Sequence, residues 1–188
     1  ETAGNGVNFN NQAINVVGNI AINGGELTAG SSVVTFGGIW TRAGIFNCNT
    51  SEVKLSPTTT SSSISADNTF YKLSMNATVA KTVTFEAAKT QTVSNTWAMS
   101  GTATATKLTL RSSSTGTAWK FNIPAAMTSG AWIDVKDSQN TANSNRITPG
   151  ANVTDSGNNT PGWIFVSNGT IAGSLYDNIG GALITAAK

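Results

Sequence analysis

Two stretches decide how this chain folds: "GELTAGSSVVTF" at residues 25–36 and "GIFNCNTSEVKL" at residues 44–55. Laid over each other at a constant offset (44 − 25 = 19), Gly25 meets Gly44, Leu27 meets Phe46, Ala29 meets Cys48, Val34 meets Val53 and Phe36 meets Leu55. The apolar positions coincide while the polar ones drift. What repeats is therefore a pattern of burial, not a reactive motif. One short coil cannot bury its own inner face, so identical apolar phases have to stack coil upon coil.

Outward from these stretches, alternation of period two dominates. "SVVTF", "SEVKL", "KTVTF", "TKLTL" and "WIDVK" share one grammar of apolar, polar, apolar, with β-branched residues throughout. Their central residues Val34, Val53, Val83, Leu108 and Ile133 are spaced by 19, 30, 25 and 25 residues. Secondary strands fall between them at 70–75, 92–100 and 117–123, with earlier ones in "VNF", "INVV" and "IAI". The 30-residue gap coincides with "SPTTTSSSIS" at 56–65, which reads equally well as a glycan-bearing or flexible loop and as a polar insertion lengthening one coil. The best helical candidate, "EAAKTQTV" at 86–93, is countered by its β-branched flanks. The pattern predicts an all-β fold, a parallel β-helix or β-solenoid with extended N- and C-terminal segments. An antiparallel β-sandwich is the alternative, because its strands also alternate.

Three stretches follow from this reading. Residues 1–23 form an N-terminal strand segment or first coil, and residues 24–165 the core. Within the core, 137–165 is polar and turn-rich and ends on Trp163, Ile164 and Phe165, which suit a terminal cap. Residues 166–188 resume an apolar rhythm at Ile171, Leu175, Tyr176, Ile179, Leu183 and Ile184, a candidate strand for assembly.

Composition excludes several roles. Only 11% of the 188 residues are charged, the net charge is +2, and the basic residues are scattered. Nucleic-acid binding needs a basic stripe, so no nucleic-acid partner is expected. Low charge with much Thr and Asn is common in secreted and surface-displayed β proteins. The longest nearly apolar run, "IGGALITAA", falls far short of a membrane span. The chain begins at Glu1 without a signal segment, as expected of a processed protein or a piece of a longer one. The single cysteine, Cys48, occupies the phase of Ala29 and reads as a small core residue, with no basic neighbour to activate it.

There is no histidine, which removes Ser-His-Asp and Cys-His catalysis and the usual zinc and non-haem iron sites. Neither GxxxxGK[ST] nor GxGxxG occurs. We therefore expect no catalytic residues, no metal ligands and no cofactor. Glycoside chemistry needs two carboxylates on one groove, and the only close pair is Asp134 and Asp137. That pair reads more simply as a solvated strand face followed by an Asx-type turn. Trp40, Trp97, Trp119 and Trp132 lie in or beside alternating strands, where core packing competes with a sugar-stacking role. N-x-[ST] sequons stand at Asn49, Asn76, Asn152, Asn158 and Asn168, possible glycosylation sites in an exporting host that modifies them.

From about residue 24 to 165 the chain resembles the right-handed parallel β-helix domains of bacterial secreted and cell-surface, adhesin-like proteins. The resemblance rests on "TAGSSVVTFGG", "TFYKLSM" with "KTVTF", "QTVSNTWAMSGTA", "WIDVKDSQN" and "DSGNNTPGWIF". It implies a right-handed helix located outside the cell or on its surface, with adhesive or scaffold roles and no catalytic residues to carry over. Three functions follow as expectations. The first is a structural subunit that polymerises with copies of itself into a filament or layer. The second is an adhesin or carbohydrate-binding module for surface glycans, which would present a row of exposed Trp or Tyr. A polysaccharide lyase or hydrolase is the third.

Overall fold

The repeat exists because each copy is one coil of a parallel β-solenoid. The computed structural model describes residues 6–123, 125–141 and 147–165. Every strand pairing among them is parallel, so the antiparallel sandwich is not the fold.

Two seven-stranded sheets run the length of the molecule. The first stacks Ile14–Val16, Val33–Phe36, Glu52–Leu55, Asn68–Asn76, Thr90–Ser100, Trp119–Asn122 and Ser138–Asn140. The second stacks Ile20–Ile22, Ile39–Arg42, Ser61–Ile64, Lys81–Phe85, Leu108–Ser112, Ile133–Val135 and Thr154–Asp155. A third, shorter wall joins Val7–Asn8, Glu26–Thr28 and Ile45–Asn47. The two long strands each turn a corner. Residues 72–74 pair below with 52–54, whereas residues 90–92 pair above with 120–122, and the register shifts between Phe70 and Lys72. Each coil's backbone groups are thus paired with the coils above and below, and its side chains alternate between core and solvent.

Inward positions fill the interior without gaps in phase. Val34, Val53 and Leu73 form one rung column, and Ile64, Phe85, Val83, Leu110 and Val135 line the facing wall, all fully buried. Aromatic rings cluster in two groups. Trp40 packs against Phe36, Phe46 and Phe70 at 5.6, 4.9 and 5.6 Å. Higher up, Phe85 stacks on Trp119 at 4.1 Å, and Trp97, Phe121 and Trp163 continue the column towards the C-terminal end. The corners stack as well. Asn11, Gly30 and Asn49 all carry positive φ of 63°, 61° and 43°, and a Cβ at Gly30 would lie 2.2 Å from the Asn11 side-chain oxygen. That corner needs glycine for space and asparagine for its left-handed backbone.

Three details depart from the sequence reading. Val53 and Val83 belong to different sheets: Val53 is followed in its column by Leu73, and Val83 is preceded by Ser62. Residues 56–65 are consequently not an insertion. Ser61–Ile64 is a ladder strand with Ser62 and Ile64 buried. Leu108 stacks on Lys81, not on Val83, so the spacing across that step had been read two residues out of register. The turn-rich region from 137 also keeps coiling through Ser138–Asn140, Ile147–Thr148 and Thr154–Asp155. Only the stretch after it crosses the end of the stack.

Candidate functional site: side walls and the two ends

The side walls carry three concentrations of polar chemistry. The first is internal. Lys81 occupies a core phase, 2% exposed, in the same column as Leu108 and Ile133. Its ammonium donates to Thr59 Oγ1 at 2.6 Å, Ser62 Oγ at 2.8 Å and the Thr59 carbonyl at 3.1 Å. Both hydroxyls in turn donate to the Gly37 carbonyl, so the cluster links three successive coils. None of the three acceptors is charged, and burial pulls the Lys81 pKa down from 10.5 to about 8. A native pKa below the unfolded one means the folded state holds fewer protons between the two values. The contribution of Lys81 to stability should therefore be flat below pH 8 and rise from pH 8 to 10.5, by up to about 3 kcal/mol. The readout is the difference in melting temperature between the wild type and Lys81→Met across that window. Identical pH profiles for the two proteins would sink the assignment.

The second is the acidic pair of the sequence reading, whose members are engaged separately. Burial works to raise the pKa of Asp134, but Arg111 at 3.0 Å and the Ser156 hydroxyl at 2.6 Å outweigh it and hold the carboxyl low. Asp137 is buried at a corner with φ of 53°, and accepts from Asn158 Nδ2 at 2.8 Å and Gly116 N at 3.1 Å. These bonds likewise outweigh burial and keep its pKa down. Among the described residues no group of three or more His, Cys, Asp or Glu is placed to hold a metal ion.

The third is a shallow concavity of about 450 Å³ on the outer face of the first sheet, bordered by Glu52, Lys54, Lys72, Asn76, Ser100 and Gly130. Glu52 is its one carboxylate. Burial disfavours the charge, yet bonds from the Ser74 hydroxyl and from Lys72 at 3.0 Å, with the charge of Lys54, hold Glu52 below its ordinary range. A single carboxylate with its oxygens already occupied does not make the paired-acid arrangement that glycoside hydrolysis requires.

The tryptophans do not form an outer platform. Trp40, Trp97, Trp119 and Trp163 are buried, and Trp132 is half-buried at a corner with φ of 56°. Cys48 sits over Ala29 against the core, and burial raises its thiol pKa. Of the sequon asparagines, Asn49, Asn76, Asn152 and Asn158 are all exposed. The nitrogen that a glycan would take at Asn158 is bonded to Asp137.

The two ends differ. At the C-terminal end the ladder is covered in part: Ser138 N and Asn140 N donate to the carbonyls of Asn158 and Pro161, and Ile147 bonds Gly162 and Ile164, while Thr154–Asp155 has no following strand among the described residues. Trp163 is buried over Phe121 and stacked by Phe165 at 5.8 Å, while Ile164 is 37% exposed. At the opposite end, Val7–Asn8, Ile14–Val16 and Ile20–Ile22 pair on one side only among the described residues. Phe9, Ile14 and Val16 are only partly buried, whereas Ile20 and Ile22 are buried, and Val7 and Val17 are 58% and 85% exposed. No Lys, Arg, Asp or Glu occurs between Thr2 and Gly25.

The sequence marks this edge by a run free of charge directly before the first repeat, within the residues 1–23 that are apolar enough to pair with another subunit. Ile171, Leu175, Tyr176, Ile179, Leu183, Ile184 and Asn168 lie outside the described residues. No helix among the described residues is long and apolar enough to cross a membrane. Compared with protein-family models, with curated proteins and with solved structures, the chain finds no match in any of the three.

Proposed function

We propose that this chain is a structural subunit that assembles end to end with copies of itself, outside the cell or on its surface, as a filament or layer. The observation that supports this reading is the asymmetry of the ends among the described residues: one largely covered by an aromatic plug, the other an uncharged strand edge paired on one side only. Exposed edges are normally blunted with lysine, proline or inward charge to prevent pairing, and this edge carries none of these. A strand supplied by another molecule satisfies the free N–H and C=O groups along it. Unlike ends make a heterologous contact, and such a contact repeats instead of closing at a dimer. The low charge of the chain and its Ser- and Thr-rich outer faces support a location outside the cell.

Sedimentation velocity across a hundredfold range of protein concentration tests the assembly. Species should grow with concentration and pass beyond dimer without a plateau. A single species whose size does not change with concentration would remove the polymer reading.

A further inference from the structure

We infer that Asn23–Gly24 is a modification site, at which the folded chain converts its own asparagine to aspartate and isoaspartate without an enzyme. The dipeptide sits at the corner between Ile20–Ile22 and Glu26–Thr28, and residues 23–25 are exposed. The coil-to-coil bonds pass it on both sides. The Ile22 carbonyl accepts from Ala43 N at 2.7 Å and Gly44 N at 2.8 Å, and the Gly25 carbonyl accepts from Ile45 N at 2.9 Å. Between these anchors the Gly24 amide and the Asn23 side chain make no hydrogen bond among the described residues. A Cβ at Gly24 would meet nothing within 4 Å, so the space beside the amide is open as well. Other asparagines of the first coils are held differently. The side-chain oxygens of Asn11, Asn19 and Asn49 accept from the backbone N–H groups of Ser31, Ile39 and Gly30. Each of the three is also followed by a residue that carries a side chain, Gln12, Ile20 or Thr50. Asn23 has neither restraint.

The chemistry needs only the chain and water. The Gly24 nitrogen gives its proton to hydroxide, bonds to Asn23 Cγ and closes a cyclic imide. The Cγ–Nδ2 bond breaks, and ammonia leaves with a proton from water. Water then opens the ring. Addition at Cγ breaks the new N–Cγ bond and leaves aspartate. Addition at the Asn23 carbonyl carbon breaks the original peptide bond and leaves isoaspartate, whose main chain runs through Cγ. The net change is one water taken up and one ammonia released, with nothing oxidised or reduced. Glycine at 24 favours the closure because it has no Cβ to obstruct it. Both products put a carboxylate into the run between Thr2 and Gly25, which otherwise carries no charge. Isoaspartate also lengthens the backbone between Ile22 and Gly25. It does so against Gly44, where an added Cβ would already stand 2.8 Å from the Gly24 carbonyl carbon and oxygen.

The test incubates the purified full chain at mildly alkaline pH and body temperature, then resolves it by ion exchange and peptide mass mapping. Fragment ions separate Asn23 from Asn5 and Asn168, the other asparagines followed by glycine. An acidic form should accumulate, with the mass gain of an amide turned acid at residue 23. Hydroxylamine should split the imide-bearing chain after residue 23. In Gly24→Ala, whose added methyl meets nothing, conversion at residue 23 should be lost while the melting temperature is kept. An Asn23 that stays intact in the folded chain, while the free peptide of residues 18–30 converts, would overturn the inference, because the fold would then protect the site. Conversion that persists in Gly24→Ala would overturn it too. So would conversion that speeds up in the core variant Trp119→Ala in step with the unfolded fraction, since the reaction would then belong to the unfolded chain. None of these readouts depends on assembly.

Discussion

Trp119→Ala should lower the free energy of unfolding by about 4 kcal/mol, read as a shift in urea midpoint at unchanged slope. Trp119 is fully buried, stacked on Phe85 at 4.1 Å and 18°, with Trp97 at 6.1 Å and Phe121 at 5.4 Å. Removing the indole empties the centre of the upper aromatic column, and strands held on both sides by ladders cannot close the space. A loss of this size is a large part of the 5–15 kcal/mol that usually separates folded from unfolded chains. The indole nitrogen has no hydrogen-bond acceptor. The effect is therefore one of packing, and Trp119→Phe should recover most of it, because a benzene ring keeps the contact with Phe85 and removes the unpartnered N–H. If Trp119→Ala moved the midpoint by less than about 1 kcal/mol, the column would not be the continuous core described.

Gly37→Ala is the second large effect, expected to cost about 3 kcal/mol and so to lower the melting temperature by about 10 °C. A Cβ at Gly37 would stand 2.1 Å from the carbonyl oxygen of Val17 in the coil below and 3.2 Å from Thr59 Cγ2 in the coil above. Backbone, not a flexible side-chain tip, would have to move. Movement there also displaces the Gly37 carbonyl, which accepts from Ser62 and Thr59 and thereby anchors the oxygens that hold the Lys81 ammonium. Gly24→Ala is the matched control, with nothing within 4 Å of its added carbon, and should change the melting temperature by no more than a degree or two. Equal behaviour of the two variants would mean that coil-to-coil spacing does not limit position 37.

Where the repeat was regular, these contacts could be read directly from the sequence. Leu27 over Phe46 and Val34 over Val53 were legible because both coils have the same length and the same corner chemistry. Legibility failed where a coil changed its wall lengths. Asn68–Asn76 and Thr90–Ser100 run through a corner as single strands, so two walls read as one and the column from Val53 to Leu73 was overlooked. It failed again at Ser62 and Lys81, because hydrophobic periodicity has no symbol for a polar core phase. Their burial is explained by each other and by Thr59 and Gly37, through hydrogen bonds between residues 19 to 25 positions apart. The first coil was legible only in part. Its charge-free run is plain in the sequence, but that it lacks a paired neighbour on one side among the described residues is visible only in the ladder.

The most direct test of end-to-end assembly is electron microscopy of the purified chain at high concentration. Seven coils at ~4.8 Å, stacked end to end, give an axial repeat of about 34 Å along a smooth, polar filament. Filaments with that repeat, whose strands run across the long axis, are the predicted result. Dispersed single particles one solenoid long, or closed pairs that never extend, would contradict the account.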